Sequence, residues 1–302
     1  DHMIRQNIEA YGLEVGQIVH QRETVDIANQ PVIRMNVDTI YSSLVLDLSE
    51  PVEITLPEID RRYQSMHVMN QDHYMFVEAK PGSYELTEEN VGTRFAAVAF
   101  RTFIEPSDPD DVKAAHAAQD GIIVSGGGSG PFEAPDWDTE QLAVARKALN
   151  DLAAEISFDS SLAYGREDEV DPLHFLVGGI AGWAGLPAHG AIYLIDAVDQ
   201  NDGKTPYAVT AKDVPVDAFW SVTIYNADGY MEPNDLGRNN YNNVTAEPND
   251  DGSITVHMGG CDDGRVNCIP ITPGWSYAAR LYQPRKEILD GSWSFPEIKP
   301  VN

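Results

Sequence analysis

The stretch FWSVTIYNADGYM, residues 219–231, decides how the chain is read. Apolar and polar residues alternate along it, and it closes on Asn-Ala-Asp-Gly, which is the pattern of a half-buried strand running into a turn. The pattern recurs in YNNVTAEPNDDGSITVHMGG (241–260), NCIPITPGWSYAARLYQP (267–284) and GSWSFPEI (291–298). Asp228-Gly229 and Asp251-Gly252 are the strongest turn signals, because glycine supplies the positive φ that a tight hairpin turn requires. The last quarter of the chain is therefore a β-rich module.

Working outward, residues 3–30 open with a helix-like segment in which Ile4, Ile8, Tyr11, Val15 and Ile18 recur near helical spacing. Strands are expected over 42–49, 52–56, 63–77 and 95–103, the last apolar enough for a central position. A helix over 107–119 is capped by Ser107 or Asp108. The tract Gly126-Gly127-Gly128-Ser129-Gly130 lacks the Lys-Ser/Thr of a phosphate-binding loop and reads as a flexible loop. A longer helix over 139–157, capped by Asp138 or Thr139, carries the stripe Leu142, Ala145, Leu149, Leu152 and Ile156, which reads as core packing. Residues 178–187 are dense in glycine around Trp183, a composition that suits close backbone packing. Residues 191–197 read as a strand, with Asn201-Asp202-Gly203 as its hairpin turn. The fold class is β-dominated α+β: two antiparallel β-sandwich or barrel-like modules, 1–165 and 166–302, braced by a small helical segment.

With 48 acidic against 20 basic residues the net charge is −28, which repels nucleic acid and anionic membrane. No apolar run reaches the ~20 residues needed to span a bilayer. Asp1-His2-Met3 reads as a tag remnant, so any signal peptide is expected to have been removed. Six residues separate Cys261 from Cys268, a spacing that allows the ~4.4–6.8 Å between Cα atoms of a disulfide. Two buried free thiols are the other reading. A bridge implies an oxidising compartment, hence a periplasmic or secreted protein.

The chain has no GxSxG elbow, HExxH motif, GxGxxG fingerprint or EF-hand loop, and no nucleotide cofactor is expected. Its best polar cluster is Arg34, Asn36, Asp38, Thr39 and Tyr41. In an extended segment Arg34, Asn36 and Asp38 share a face, where they orient a polar ligand, hold a metal, or form a structural network. His67 and His73 share strand parity but lie ~20 Å apart in a straight strand, unless Asn70-Gln71-Asp72 folds the chain back. His174 and His189 flank the glycine-rich segment, either one able to act as a general base. Arg280, with Asn267 nearby in sequence, suits a carboxylate or phosphate, or else bridges two strands.

The order Ala218-Phe219-Trp220-Ser221, Tyr225-Asn226-Ala227-Asp228-Gly229, Asn267, Ile269-Pro270, Arg280-Leu281-Tyr282, Pro284, Trp293 and Pro296 resembles the C-terminal half of the paired-domain family DUF 1254/DUF 1214. Arg34, Asn36, Asp38-Thr39, Tyr41, Asp60 and Arg62-Tyr63 resemble its N-terminal half. The resemblance implies metal-assisted hydrolysis of a polar or phosphorylated small molecule. In that scheme Asp38 binds a divalent ion (calcium, magnesium or zinc), and Arg34 and Arg280 clamp phosphate oxygens. His189 or a metal-bound water is the base, while Asn36, Tyr41 and Asn267 complete the ligand contacts. A carbohydrate- or polyol-binding module without catalysis is the alternative, served by 13 Tyr and 5 Trp.

Overall fold

A computed structural model describes residues 1–30, 33–156 and 158–301. The chain forms two compact units, one of Asp1–Arg22 with Ile40–Gly190 and one of Glu23–Thr39 with Ala191–Asn302. A single cut at 165/166 therefore does not describe them. Residues 166–190 stay with the first unit, and the segment 23–39 joins the second.

The first unit holds, in chain order, β1 (Val19–His20), β2 (Thr39–Asp47), β3 (Val52–Leu56), β4 (Gln64–Asn70), β5 (Met75–Glu78), β6 (Gly82–Leu86), β7 (Phe95–Phe103) and β8 (Ile123–Gly126). They make a five-stranded antiparallel sheet, β1-β2-β7-β4-β5, and a three-stranded one, β6-β3-β8. Leu44, Leu46, Met66, Val98 and Phe100 from the larger sheet pack against Val52, Ile54 and Leu86 from the smaller one. The opposite face of the larger sheet is covered as well, with Val45, Met69 and Ala97 packing under Ile4, Leu13 and Tyr164. Double coverage explains why every residue of β4 is buried and why β7 reads as an apolar run instead of an alternation.

The helices are α1 (His2–Tyr11), α2 (Glu88–Val91), α3 (Pro109–Asp120), α4 (Thr139–Glu155) and α5 (Pro172–Ala181). Gly12, left-handed at φ 61°, ends α1, so the helix-like reading of 3–30 stops there and Val15 instead bridges Val45. α3 and α4 begin where their caps predict, at Asp108 and Asp138. The stripe of α4 is not core. Leu142 and Leu149 are half-buried, Ala145 is exposed and Leu152 is 38% exposed. The 126–130 tract is no free loop either, since a Cβ on Gly126 would meet the Pro51 carbonyl at 2.4 Å. The glycine-dense segment wraps Tyr164: a Cβ on Gly185 would lie 2.3 Å from the ring, whose hydroxyl donates to the carbonyls of Gly178 and Gly182.

The second unit adds β9 (Ala191–Asp196), β10 (Tyr207–Ala211), β11 (Trp220–Tyr225), β12 (Asn240–Asn242), β13 (Ile254–Met258), β14 (Cys268–Ile269), β15 (Ser276–Tyr282) and β16 (Lys299–Pro300), with α6 (Lys286–Leu289). One sheet runs β12-β11-β15-β9 and the other β14-β13-β10-β16, the β13–β14 pair being parallel. Trp220, Val222, Ile224, Ala279 and Leu281 pack against Val209, Val256, Met258 and Ile269 between the two sheets. This is a sandwich core, and no closed barrel occurs among the described residues. Asn201-Asp202-Gly203 does turn, with Gly203 at φ 74°, but it joins strands of different sheets and so makes no hairpin. A disulfide links Cys261 to Cys268 with 5.6 Å between Cα atoms. Among the described residues no helix is long and apolar enough to cross a membrane.

Candidate functional site

The alternation that buries Trp220, Val222 and Ile224 turns Ser221, Thr223 and Tyr225 to the other face of their sheet. Register sets Ser221 opposite both Arg280 and Asn242, and Thr223 opposite Asn240. Segment 23–39 lies over this face, with Val25, Ile27, Met35 and Val37 packed on Tyr225, Met231 and Ala278. A buried polar group forms under it.

Asp38 is its centre, 1% exposed. Its Oδ1 accepts from the amides of Asn240 (2.7 Å) and Asn242 (3.0 Å). The Asn242 amide cannot turn round, because its own Oδ1 accepts the backbone N–H groups of Val244 and Thr245. Asp38 Oδ2 has no partner, and neither has Ser221 Oγ. Burial pushes the Asp38 carboxyl above its usual range, against the pull of Asn242, of a Ser221 hydroxyl near enough to favour the charge, of Arg280 and of Asn240.

Arg280, 4% exposed, donates through Nη1 to Thr223 Oγ1 (2.9 Å) and through Nη2 to Tyr225 OH (2.7 Å) and the Arg34 carbonyl (2.9 Å). Burial disfavours its charge, but the phenols of Tyr225 and Tyr282 and the Asp38 carboxyl outweigh that, and the guanidinium stays charged. Asn36 accepts the Asp38 N–H at 2.6 Å and donates to Tyr282 OH at 2.7 Å, fixing the bend that aims Asp38 inward. The segment is not extended here: Arg34 sits at φ 56°, its side chain is exposed, and only its carbonyl enters the network.

Other expected site residues lie elsewhere. Asn267 joins the second sheet of this unit, where it accepts Glu247 N–H and donates to the carbonyls of Glu247 and Thr255, so its amide is committed to backbone. Tyr41 and His189 belong to the first unit. There Arg101 lies 5.6 Å over the Tyr41 ring and bonds His67 Nδ1 at 3.2 Å. The β4–β5 hairpin does fold the chain back after Asn70, bringing His73 within electrostatic reach of His67. Burial, then Arg101, His73 and His189, hold His67 well below the usual histidine range; burial lowers His73 to about 4. His189 itself is exposed. Sequence reasoning missed Ser221, Asn240 and Asn242 as site residues, although the alternation of Ser221 with Trp220 and Val222 already set it on the face opposite the core.

Among the described residues no three His, Cys, Asp or Glu side chains are grouped to hold a metal ion. The donor set at Asp38 does not suit one, because amide N–H groups already face the carboxylate and, among the described residues, no further acidic, histidine or cysteine side chains group with it.

The VPA0106 protein of Vibrio parahaemolyticus has a similar structure over all of this chain and 95% of its own, with a TM-score of 0.75 at 21% identity. An uncharacterised Burkholderia cenocepacia protein matches over 99% of this chain and 85% of its own, with a TM-score of 0.55 at 12% identity. Both likenesses show the fold. No curated protein matches the sequence. Residues 15–125 match the family described as protein of unknown function DUF1254, and residues 190–286 match the one described as protein of unknown function DUF1214. The chain thus belongs to the family that pairs a DUF1254 domain with a DUF1214 domain.

Proposed function

We propose that the second unit binds a small polar molecule bearing hydroxyl groups, and that it hydrolyses a bond to one of those oxygens with Asp38 as the acid–base group. One observation carries this reading: the buried Asp38 Oδ2 lacks a partner beside a Ser221 hydroxyl that also lacks one. An unpaired buried polar atom costs about 1–3 kcal/mol, which a ligand donor or a proton offsets. A ligand hydroxyl that reaches this pair offers each atom a partner. Burial keeps the carboxyl protonated to higher pH, so it can give its proton to a leaving oxygen and regain one from the attacking water. Arg280 and the two asparagine amides stabilise the carboxylate formed in between. No divalent ion enters this scheme, since the Asp38 donors do not fit one. The disulfide supports a location outside the reducing cytosol.

The test is thermal melting with inositol, glucose and glucose 6-phosphate, on the native protein and on Asp38→Asn and Ser221→Ala. A neutral polyol is expected to raise the native melting temperature and to lose most of that effect in both variants. Binding without turnover of esters or glycosides of that polyol would leave a polyol-binding module. An unchanged shift in Asp38→Asn, or no shift with any polyol, overturns the proposal.

A further inference from the structure

Between β11 and β12 the chain makes a polar loop, 226–239, and a cavity of about 40 Å³ lies against it, lined among others by Asn226, Glu232, Asn234, Asn239 and Thr272. The amide donors around it are spent. Asn226 Nδ2 donates to Glu232 Oε1 (2.9 Å) and Asn239 Nδ2 to the Glu232 carbonyl (2.7 Å). Asn234 Nδ2 donates to the carbonyls of Glu232 (3.3 Å) and Arg238 (2.9 Å). These bonds set which way each amide points, since a carbonyl or carboxylate oxygen can only accept. The oxygens of Asn226 and Asn234 are taken up by backbone N–H groups. That of Asn239 is not: the residue is 7% exposed, and its buried Oδ1 has no partner. Among the described residues no cation pairs with the half-buried Glu232 carboxylate, whose Oε2 is likewise uncommitted. The cavity therefore gathers oxygen acceptors, one of them charged, while its asparagine N–H groups are all in use.

We infer that this cavity binds one alkali-metal cation, sodium or potassium, held by the Glu232 carboxylate, Asn239 Oδ1 and the Thr272 hydroxyl, with water completing its shell. Hard cations take oxygen ligands, and a single carboxylate balances a single positive charge. A divalent ion here keeps an uncompensated charge out of bulk water, which is costly. A water needs roughly 10–15 Å³ by the same measure, so the space admits an ion with one or two waters and excludes an organic cation. The ion also gives the buried Asn239 oxygen the partner it lacks. The site is independent of the Asp38 reading, and its test reads stability in plain salts with no polyol present.

Thermal melting of the full chain tests the inference, at one ionic strength made up in turn with sodium, potassium and choline chloride. Choline is too large for the cavity but screens the −28 charge of the chain equally, so a difference between salts reports a site and not the diffuse field. Sodium or potassium is expected to raise the melting temperature by about 2–4 °C over choline, the rise for an ion tenfold above its Kd. Glu232→Gln keeps the shape of the side chain and changes the net charge only from −28 to −27, and it should abolish that difference. Thr272→Val, on a separate stretch of the lining, should cut it by about half, and the melt of each variant in choline shows that it is folded. Equal melting temperatures in all three salts, a rise produced only by calcium chloride at the same ionic strength, or an undiminished effect in either variant overturns the inference.

Discussion

Replacing Asp38 by Asn isolates the consequence of burying one carboxyl oxygen without a partner. The amide keeps the shape: its oxygen can accept from Asn240 and Asn242 as Oδ1 does now, and its NH2 faces Ser221. The native carboxyl has a folded pKa above its ordinary 3.8, so the folded state holds the proton longer than the unfolded chain does. Stability from this group is fully present below the unfolded value and declines as pH rises through the folded pKa. While the unfolded carboxyl is ionised and the folded one is not, the decline is about 1.4 kcal/mol per pH unit. Urea unfolding of both proteins at successive pH values from 4 upward measures it. Every other carboxylate contributes equally to both, including the depressed Asp47, Asp202, Asp251 and Asp263, so the difference belongs to Asp38. Asp38→Asn is expected to gain on the native protein as pH rises and to be at least as stable at neutral pH. A difference independent of pH, or one that moves in favour of the native protein, refutes the reasoning.

Arg280→Met removes the donor to Thr223 Oγ1, Tyr225 OH and the Arg34 carbonyl and leaves Asp38 without its buried counter-charge; a loss of about 3–5 kcal/mol is expected in chemical unfolding, with partial recovery in Arg280→Lys. Full native stability in the methionine variant would show that the guanidinium is not what holds segment 23–39 in place. The disulfide closes a loop of sequence separation 7, for which chain entropy gives about 2–3 kcal/mol. Reductant should lower the melting temperature of the native protein and leave that of Cys261→Ala/Cys268→Ala unchanged.

The sheets were legible because strand alternation and turn residues are local signals. Where coverage was double, as on β4 and β7, the pattern became a continuous apolar run and still identified strands. Helix starts set by caps were legible too: of the two residues offered for each, Asp108 and Asp138 are the N-caps. The failures share a cause: they depended on what lies against an element. The apolar stripe of α4 does not say that it packs on α5 with Val144 left 72% exposed. The short α5, hidden in a glycine-dense segment, is explained only once Tyr164 is seen to need the space those glycines leave.

The candidate site divides in the same way. Arg280 and Asp38 were singled out separately, one in each half of the sequence, and nothing local joins positions 242 apart. What joins them is the topology that places segment 23–39 over a sheet of the second unit. Parity then does the rest, since fixing Arg280 on the face opposite the core fixes Ser221, Asn240 and Asn242 beside it through strand register. The shared face expected for Arg34, Asn36 and Asp38 is absent on the same physics. A residue at φ 56° interrupts the strand period, and the side-chain parity assumed for 34, 36 and 38 ends there. The side chain left outside is the charged one and its carbonyl is the part drawn in. A guanidinium buried beside Arg280 would have placed two cations against one carboxyl already shifted toward its neutral form.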